Sequence, residues 1–564
     1  MNKLTICLLA ALASSAMPVL AQEAAALATS PVIIAPPQSA MAQTIKSELS
    51  GAYYGAAKDS AAYIEAQRLY FFYGSRHFEP IWLDTAADGE VSFSARADAI
   101  ISLFKNAEAE GLRPSDYLSP ALDPAVAKND ASKLAELETA FSAATLRYAS
   151  HLYNGRIKPQ SIDKNLDIAA KPFDPTALLI QLGSSDNPAA MLAELNPKHP
   201  EFLALKQALA NFDDAAQDRP EQIAQGPTLR PGMSDDRVPA LRNRLGLVAS
   251  ETLTYDAALV DAMKAFQKSQ ELDVDGVMGP ATLAAINGGL PVTRADIIAN
   301  MERWRWAPQD LGDFHVFVNI PEFRLSINRG DTETYTTRVV VGTVKNQTPV
   351  FSDNIRHVVV NPYWNVPSSI IKGEIAPAVL RNPAYTDNHN MDLIYNGAPV
   401  SPWQVDWTQV SANKFPFRVR QRPGPGNSLG QIKFLFPNKH DVYLHDTPSK
   451  SLFSRSFRAY SHGCVRVQDP MAFADALMAN EPKISRTSLE AMFGPNERWV
   501  NPEKQIPVHL VYFTVRPAAD GSLKSFGDVY GHHTKLIEAL GLKQNPIAKE
   551  IIAEAIPEAD PLSP

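Results

Sequence analysis

His315-Val316-Phe317-Val318-Asn319-Ile320, then Phe323-Arg324-Leu325-Ser326-Ile327, then Thr337-Arg338-Val339-Val340-Val341 are three short runs rich in β-branched and aromatic residues, separated by turns. They read as neighbouring strands. Further strands are predicted at 356–360, 432–436 and 442–445, so a mostly β domain extends over about 313–516. Between about 368 and 427 the strand rhythm lapses into Pro, Asn and aromatic residues, among them Trp403, Trp407, Phe415 and Phe417, and this stretch reads as an insertion capping a site.

Upstream, apolar residues recur at helical spacing. Ala97, Ile100, Ile101 and Phe104 do so within 96–104, and similar patterns fill 135–152 and 202–212, so 45–225 is read as an α-rich scaffold domain. From 226 to 290, Leu229-Arg230-Pro231-Gly232 leads into a helix with Val238, Leu241 and Leu245 on one face, followed by a second helix through Leu259, Met263 and Phe266. Asp275-Gly276-Val277-Met278-Gly279-Pro280 then supplies glycines for a tight turn and a proline for the first turn of a third helix. Through its Asp-Gly-x-x-Gly-x-x-Thr signature at 275–282, this segment resembles the type 1 peptidoglycan-binding domain, a small three-helix module. A linking helix within 291–312 joins it to the β domain, and 517–564 reads as an extension with a helix-like 535–542 and a polar tail. The expected fold class is multidomain α+β.

Met1-Asn2-Lys3, the apolar run 4–12 and the small residues leading to Val19-Leu20-Ala21 have the layout of a secretory signal cleaved after Ala21, so a periplasmic protein is expected. Residues 22–44, rich in Ala, Pro and Ser, read as a flexible tether. No later stretch approaches the roughly 18 apolar residues of a transmembrane helix. The net charge of −8, or −9 without Lys3, gives no pull toward nucleic acid or anionic lipid. Neither nucleic acid nor stable membrane insertion is expected, and the oligomeric state stays open.

Of the two cysteines, Cys7 falls inside the leader and Cys464 remains, in Ser461-His462-Gly463-Cys464-Val465-Arg466-Val467. A solitary thiol cannot close an internal disulfide and is a liability in an oxidising compartment unless its chemistry is used, which makes Cys464 the candidate nucleophile. A free thiol has a pKa of about 8.5 and needs a base near neutrality. Two imidazoles qualify: His445, in Tyr443-Leu444-His445-Asp446-Thr447-Pro448, and His462. In an extended stretch His462 and Cys464 would share a face, with Gly463 between them allowing close backbone approach. The same three residues are zinc-ligand types, but the sequence offers no second mature cysteine and no His-Glu-x-x-His pattern to complete a site, so neither metal nor cofactor is expected.

The Ser-His-Gly-Cys-x-Arg core with His445 placed 19 residues upstream of Cys464 resembles the L,D-transpeptidase catalytic domain, the YkuD domain. Asn361-Pro362-Tyr363-Trp364-Asn365-Val366-Pro367, Thr348-Pro349-Val350-Phe351 and the module ahead of the domain narrow the resemblance to the large periplasmic YcbB-type members, which carry an N-terminal scaffold and a capping insertion. The resemblance implies Cys464 as nucleophile, His445 as base in a thiolate–imidazolium pair, and the Asp446 carbonyl as the group orienting the imidazole. It further implies His462 as a support of the site, the N–H groups of Gly463 and Cys464 as oxyanion donors, and Arg466 as holder of a carboxylate or of the loop. Ser461, Trp364, Asn365 and Tyr443 would line the cleft. The implied reaction releases terminal D-Ala from a peptidoglycan tetrapeptide stem through a thioester and passes the acyl group to an amine of a second stem, forming a 3-3 cross-link. Carbapenem acylation of Cys464 is implied as the route of inhibition.

Three rivals are weighed against that reading. Common wall peptidases that use cysteine place it before the histidine, the reverse of the order here. The same fold with water as acceptor would be an L,D-carboxypeptidase or endopeptidase, and the sequence does not decide between amine and water. A wall-binding protein with a relic β domain is opposed by the intact 461–466 core. Since a deprotonated thiol and a deprotonated amine are both required, an activity optimum on the alkaline side of neutrality is expected.

Overall fold

The apolar periodicity of the N-terminal region resolves into helices α1 (Ala40–Gly55), α2 (Ala61–Gly74), α3 (Ala95–Lys105) and α4 (Ala131–Asn154). Each is started by a Ser or Asp whose side chain accepts a backbone N–H of the first turn. A hairpin of β1 (Leu83–Thr85) and β2 (Val91–Phe93) interrupts them. Ile45, Phe72, Tyr73, Trp82, Ile100, Phe104 and Phe141 close one core. This computed structural model describes residues 33–86, 90–122, 127, 130–212, 223–224, 226–270, 272–287, 292–479, 481, 484–518 and 520–543. The expected leader, the first part of the tether and the tail beyond 543 lie outside the described residues. Ser39 caps α1 at Ala40, so the last stretch of the expected tether is helical instead.

The chain forms two compact units. The first takes the residues up to Arg156 and Ala170–Lys198; the second takes Ile157–Ala169 and the chain from His199 onward. Part of the span read as scaffold, 157–169 and 199–212, therefore folds with the second unit, where Leu166, Phe202 and Leu205 join the main core.

In that second unit, α5 (Pro200–Ala210) precedes a three-helix module of α6 (Val238–Arg244), α7 (Ala257–Ser269) and α8 (Pro280–Ile286). Val238, Leu241, Leu259, Met263 and Leu283 are its buried centre. Helix α9 (Arg294–Trp306), expected as a linker, is buried from Ala295 through Trp306 and is a core element. The main sheet begins with β3 (Phe314–Asn319), β4 (Arg324–Arg329), β5 (Thr332–Gly342), β6 (Phe351–Ile355) and β7 (His357–Val360). The chain then leaves through β8 (Trp364–Asn365), β9 (Met391–Tyr395), β10 (Ala398–Val400) and β11 (Arg418–Gln421). It returns as β12 (Ile432–Leu435), β13 (Leu444–His445), β14 (Ala459–Ser461), β15 (Val465–Val467), β16 (Arg498–Val500) and β17 (Ile506–Val511).

The main sheet runs β16-β7-β12-β13-β15-β5-β4-β3-β17-β6, with β14 also paired to β5. Alternating valines, leucines and isoleucines of its strands, Val316, Val318, Leu325, Val339, Val358, Ile432 and Val465 among them, fill one continuous core. The excursion 361–429 is an element in its own right: β8–β11 pair as a separate sheet in the order β10-β9-β11-β8, over a small core that includes Ile375, Val379, Leu393 and Val419. In the C-terminal extension, the stretch expected to be helix-like at 535–542 is α10 (His532–Leu540), which buries Leu536, Ile537 and Leu540 in the main core. No described helix is long and apolar enough to cross a membrane.

Candidate active site

β13 and β15 run parallel and adjacent, with Leu444 beside Val465 and His445 beside Arg466. Side chains alternate across a strand, so Leu444, Val465 and Val467 enter the core while His445 and Arg466 face the opposite side. Tyr443 and Cys464 precede those strands by one residue each and are tied by the Val465 N–H, which donates to the Tyr443 carbonyl at 3.1 Å. On the other flank of β13, Lys433 of β12 pairs with His445. Lys433, His445 and Arg466 thus form one row across three strands, with Cys464 a diagonal neighbour of the imidazole.

The His445 ring is buried, and its Nδ1–H donates to the Asp446 carbonyl at 2.5 Å, which leaves the Nε2 lone pair free. The Asp446 carboxylate points elsewhere, accepting from Lys450 Nζ at 2.6 Å and from the Gln431 N–H at 2.9 Å. Glycine is required at 430, where φ is +60° and a Cβ would stand 2.2 Å from the Asp446 carboxylate. Burial, then Arg466, Lys433 and Lys450, push the His445 pKa down to about 3, against the favourable bond to Asp446. Burial pushes the Cys464 thiol up to about 11, although Tyr443 and Arg466 favour the thiolate. Both shifts disfavour the charged forms, and on the ring the two neighbouring cations add to the effect of burial.

The turn carrying Cys464 is built by its own side chains. Ser461 is buried, its hydroxyl donating to the Cys464 carbonyl at 2.5 Å and accepting the Gly463 N–H at 3.1 Å. Ser461 therefore shapes the turn rather than lining the cleft as expected. The same bond occupies the Gly463 N–H, whereas the Cys464 N–H, the other expected oxyanion donor, has no acceptor among the described residues. Gly463 has φ +119°, which breaks the extended run, so His462 and Cys464 do not follow strand alternation. Instead His462 Nε2 stands 2.7 Å from Glu374 Oε1 of the capping insertion.

Three supporting residues were not among the expected site residues. Thr348 Oγ1–H donates to the Gly463 carbonyl at 2.7 Å and accepts the Gly342 N–H at 2.9 Å. The hydroxyl of Tyr530 donates to the Gly342 carbonyl at 2.7 Å and accepts the Thr348 N–H at 3.2 Å. Lys433 is buried with its ammonium 3.9 Å from Glu497, and burial lowers its pKa. Tyr443 contacts both Cys464 and the Trp364 side chain through its hydroxyl, and burial holds it un-ionised. Trp364 is buried in the core of the capping insertion, while Asn365 is exposed beside it on β8. Among the described residues Arg466 makes no ion pair or hydrogen bond, and its buried Nε has no partner.

A sheet that brings a thiol, a carbonyl-oriented imidazole and two cations to one face, beneath a separate cap, is the frame of an acyl-transfer domain. Residues 313–484 match the L,D-transpeptidase catalytic domain of the YkuD family, 240–286 match the "Putative peptidoglycan binding domain", and 67–209 match a scaffold domain. The chain therefore carries a YkuD-family L,D-transpeptidase catalytic domain behind a scaffold domain and a peptidoglycan-binding domain. A protein of Haemophilus influenzae named "Putative L,D-transpeptidase" is 35% identical over 240 residues, which cover 42% of this chain and 48% of the relative. The chain thus spans about half the length of that relative. Solved structures of an L,D-transpeptidase from Mycobacterium smegmatis (13% identity, 35% of this chain, 58% of that one, TM-score 0.19) and of one from Xylanimonas cellulosilytica (15%, 51%, 100%, TM-score 0.16) are also similar, at scores too low to add to this.

Proposed function

We propose that this chain is a cysteine acyltransferase of the cell wall, of the YcbB type. It would take peptidoglycan tetrapeptide stems as donors, release terminal D-Ala and form 3-3 cross-links outside the cytoplasm after export by residues 1–21. The observation that supports the reading is the orientation of His445, with Nδ1–H held on the Asp446 carbonyl, in a row with Lys433 and Arg466, two cations that also act on Cys464, whose Sγ stands 3.7 Å from the Asp441 carbonyl oxygen.

In this reading Nε2 of His445 takes the Sγ proton while sulfur attacks the carbonyl of the third-position diamino acid. Lys433 and Arg466 favour the negative charge that develops on sulfur, and the Cys464 N–H is positioned as a donor to the oxyanion. The imidazolium then protonates the departing D-Ala amine, leaving a thioester on Cys464. An amine of a second stem resolves it. The cap over the site supports exclusion of water while the thioester waits, and the peptidoglycan-binding domain supports retention on an immobile substrate.

Intact-mass measurement after incubation with a carbapenem is the direct test: one covalent adduct is expected on the wild type and none on Cys464→Ala. With wall-derived tetrapeptides, dimers joined through their two third-position residues are expected. Tripeptide monomer as the sole product would replace transfer by hydrolysis, and an adduct that survives Cys464→Ala would remove Cys464 from the reaction.

A further inference from the structure

Charges of both signs lie along the segment 462–466. On the strand side stand Lys433 and Arg466, whose buried Nε has no hydrogen-bond partner among the described residues. From the cap comes a carboxylate, Glu374, carried on the π-helical turn Ile371–Ile375, a kind of turn frequent at functional sites. One of its oxygens, Oε1, is bound by His462 at 2.7 Å; the other, Oε2, is buried and has no hydrogen-bond partner. Leaving a buried acceptor unsatisfied costs about 1–3 kcal/mol, more for a charged one, so the group suits a ligand that brings a donor. Because Nε2–H of His462 donates to the carboxylate, its Nδ1 is left with a lone pair, the arrangement of an oriented general base. Neither group serves the donor half-reaction, which His445 and Cys464 complete between them.

We propose that Glu374 and His462 form the acceptor station: Glu374 Oε2 receives the ammonium group of the incoming amine, and His462, oriented by Glu374 Oε1, takes one of its protons. The inference rests on the transfer reading above and assigns its second half. The ammonium gives a proton to His462 and becomes a free amine. Its nitrogen lone pair attacks the thioester carbon, the C–N bond forms and the C–S bond breaks with its electron pair going to sulfur. The remaining surplus proton on nitrogen passes through His445 to the sulfur, restoring the thiol, and His462 releases its proton to solvent. Carboxylates of the donor are drawn to the cationic flank and the acceptor cation to the anionic one, so the two stems enter on opposite sides.

The test uses the full chain, a tetrapeptide donor, and two acceptors in separate reactions: a stem amine, which is an ammonium at neutral pH, and hydroxylamine, which is already neutral. Selectivity for the stem amine over hydroxylamine is expected to fall about 10²-fold in His462→Gln, in kcat. In Glu374→Gln the stem-amine KM is expected to rise, and the ratio of cross-linked dimer to tripeptide to fall. Carbapenem acylation of Cys464 is followed in parallel, which separates failure of this assignment from failure of the enzyme itself. Equal losses with both acceptors would reduce the pair to a prop for the turn, and an unchanged dimer-to-tripeptide ratio would remove it from catalysis. A wild type that acylates and only hydrolyses would overturn the acceptor station together with the transfer reading.

Discussion

The sulfur of Cys464 is harder to ionise than a free cysteine, and the imidazole beside it is harder to protonate than a free histidine. Two reactivities therefore separate. Alkylation by iodoacetamide requires the thiolate itself, and with the thiol pushed up to about 11 its rate should climb steadily from pH 7 to 10 instead of levelling near the free-cysteine value of about 8.5. In the proposed mechanism acylation by a carbapenem uses His445 as base; with that ring pushed down to about 3 it stays neutral, so this rate should hold between pH 7 and 5. Alkylation that saturates near pH 8 would refute the first expectation, and a tenfold fall in acylation by pH 5 the second. Arg466→Gln removes a group that favours the thiolate and opposes the imidazolium, so alkylation at pH 8 should slow. Cys464 and His445 were legible in the sequence because their chemistry is local to two short motifs. Lys433 was not, because its place beside His445 exists only once β12 and β13 pair.

At the scale of elements, strand period and helix period were readable because alternating or 3.6-spaced apolar residues have to bury together: α3, α4, α7 and the strands β3 to β5 lie close to where their patterns put them. The cap was visible only as a loss of rhythm, since its strands are two to five residues long and separated by helical turns. In the extension the helix was legible, but not what it packs against. Its helix has a buried face, but the partner of the Tyr530 hydroxyl is the β5 end at Gly342, 188 residues away. That long-range bond links the extension to the catalytic turn through Thr348. Tyr530→Phe leaves the Gly342 carbonyl and the Thr348 N–H buried with one partner fewer, at a cost of about 1–3 kcal/mol. A lower urea midpoint with an unchanged slope is expected, together with slower carbapenem acylation as the Gly463 carbonyl loses its support. Gly342→Ala should be worse, because its Cβ would stand 2.1 Å from the Asn346 carbonyl oxygen. A Tyr530→Phe variant with the parent's midpoint and acylation rate would show that the bridge holds nothing.

Across the whole molecule, the two compact units carry buried titratable groups whose linkage has opposite sign. In the second unit burial pushes His509 and His532 down to about 4 and His445 to about 3, from an ordinary imidazole value of 6.5. The unfolded chain then binds more protons than the folded unit below about pH 6.5, so stability present above that pH is lost as pH falls toward 4, by at most roughly 3 kcal/mol for each ring over that range. In the first unit the sign reverses at Glu138, fully buried and pushed up to about 7 from 4.5 by that burial, despite accepting from the Tyr73 hydroxyl and the Ile81 N–H at 2.7 Å each. Here the folded state binds more protons between about pH 4.5 and 7, so acidification through that window stabilises it. Calorimetry of the full chain should show two transitions, one moving down and the other up in temperature as pH is lowered from 7 to 5. Glu138→Gln keeps the side-chain shape and removes the titration, so the upward shift should vanish while the downward one persists. Transitions that move together at every pH, or an upward shift that survives Glu138→Gln, would place the proton linkage elsewhere.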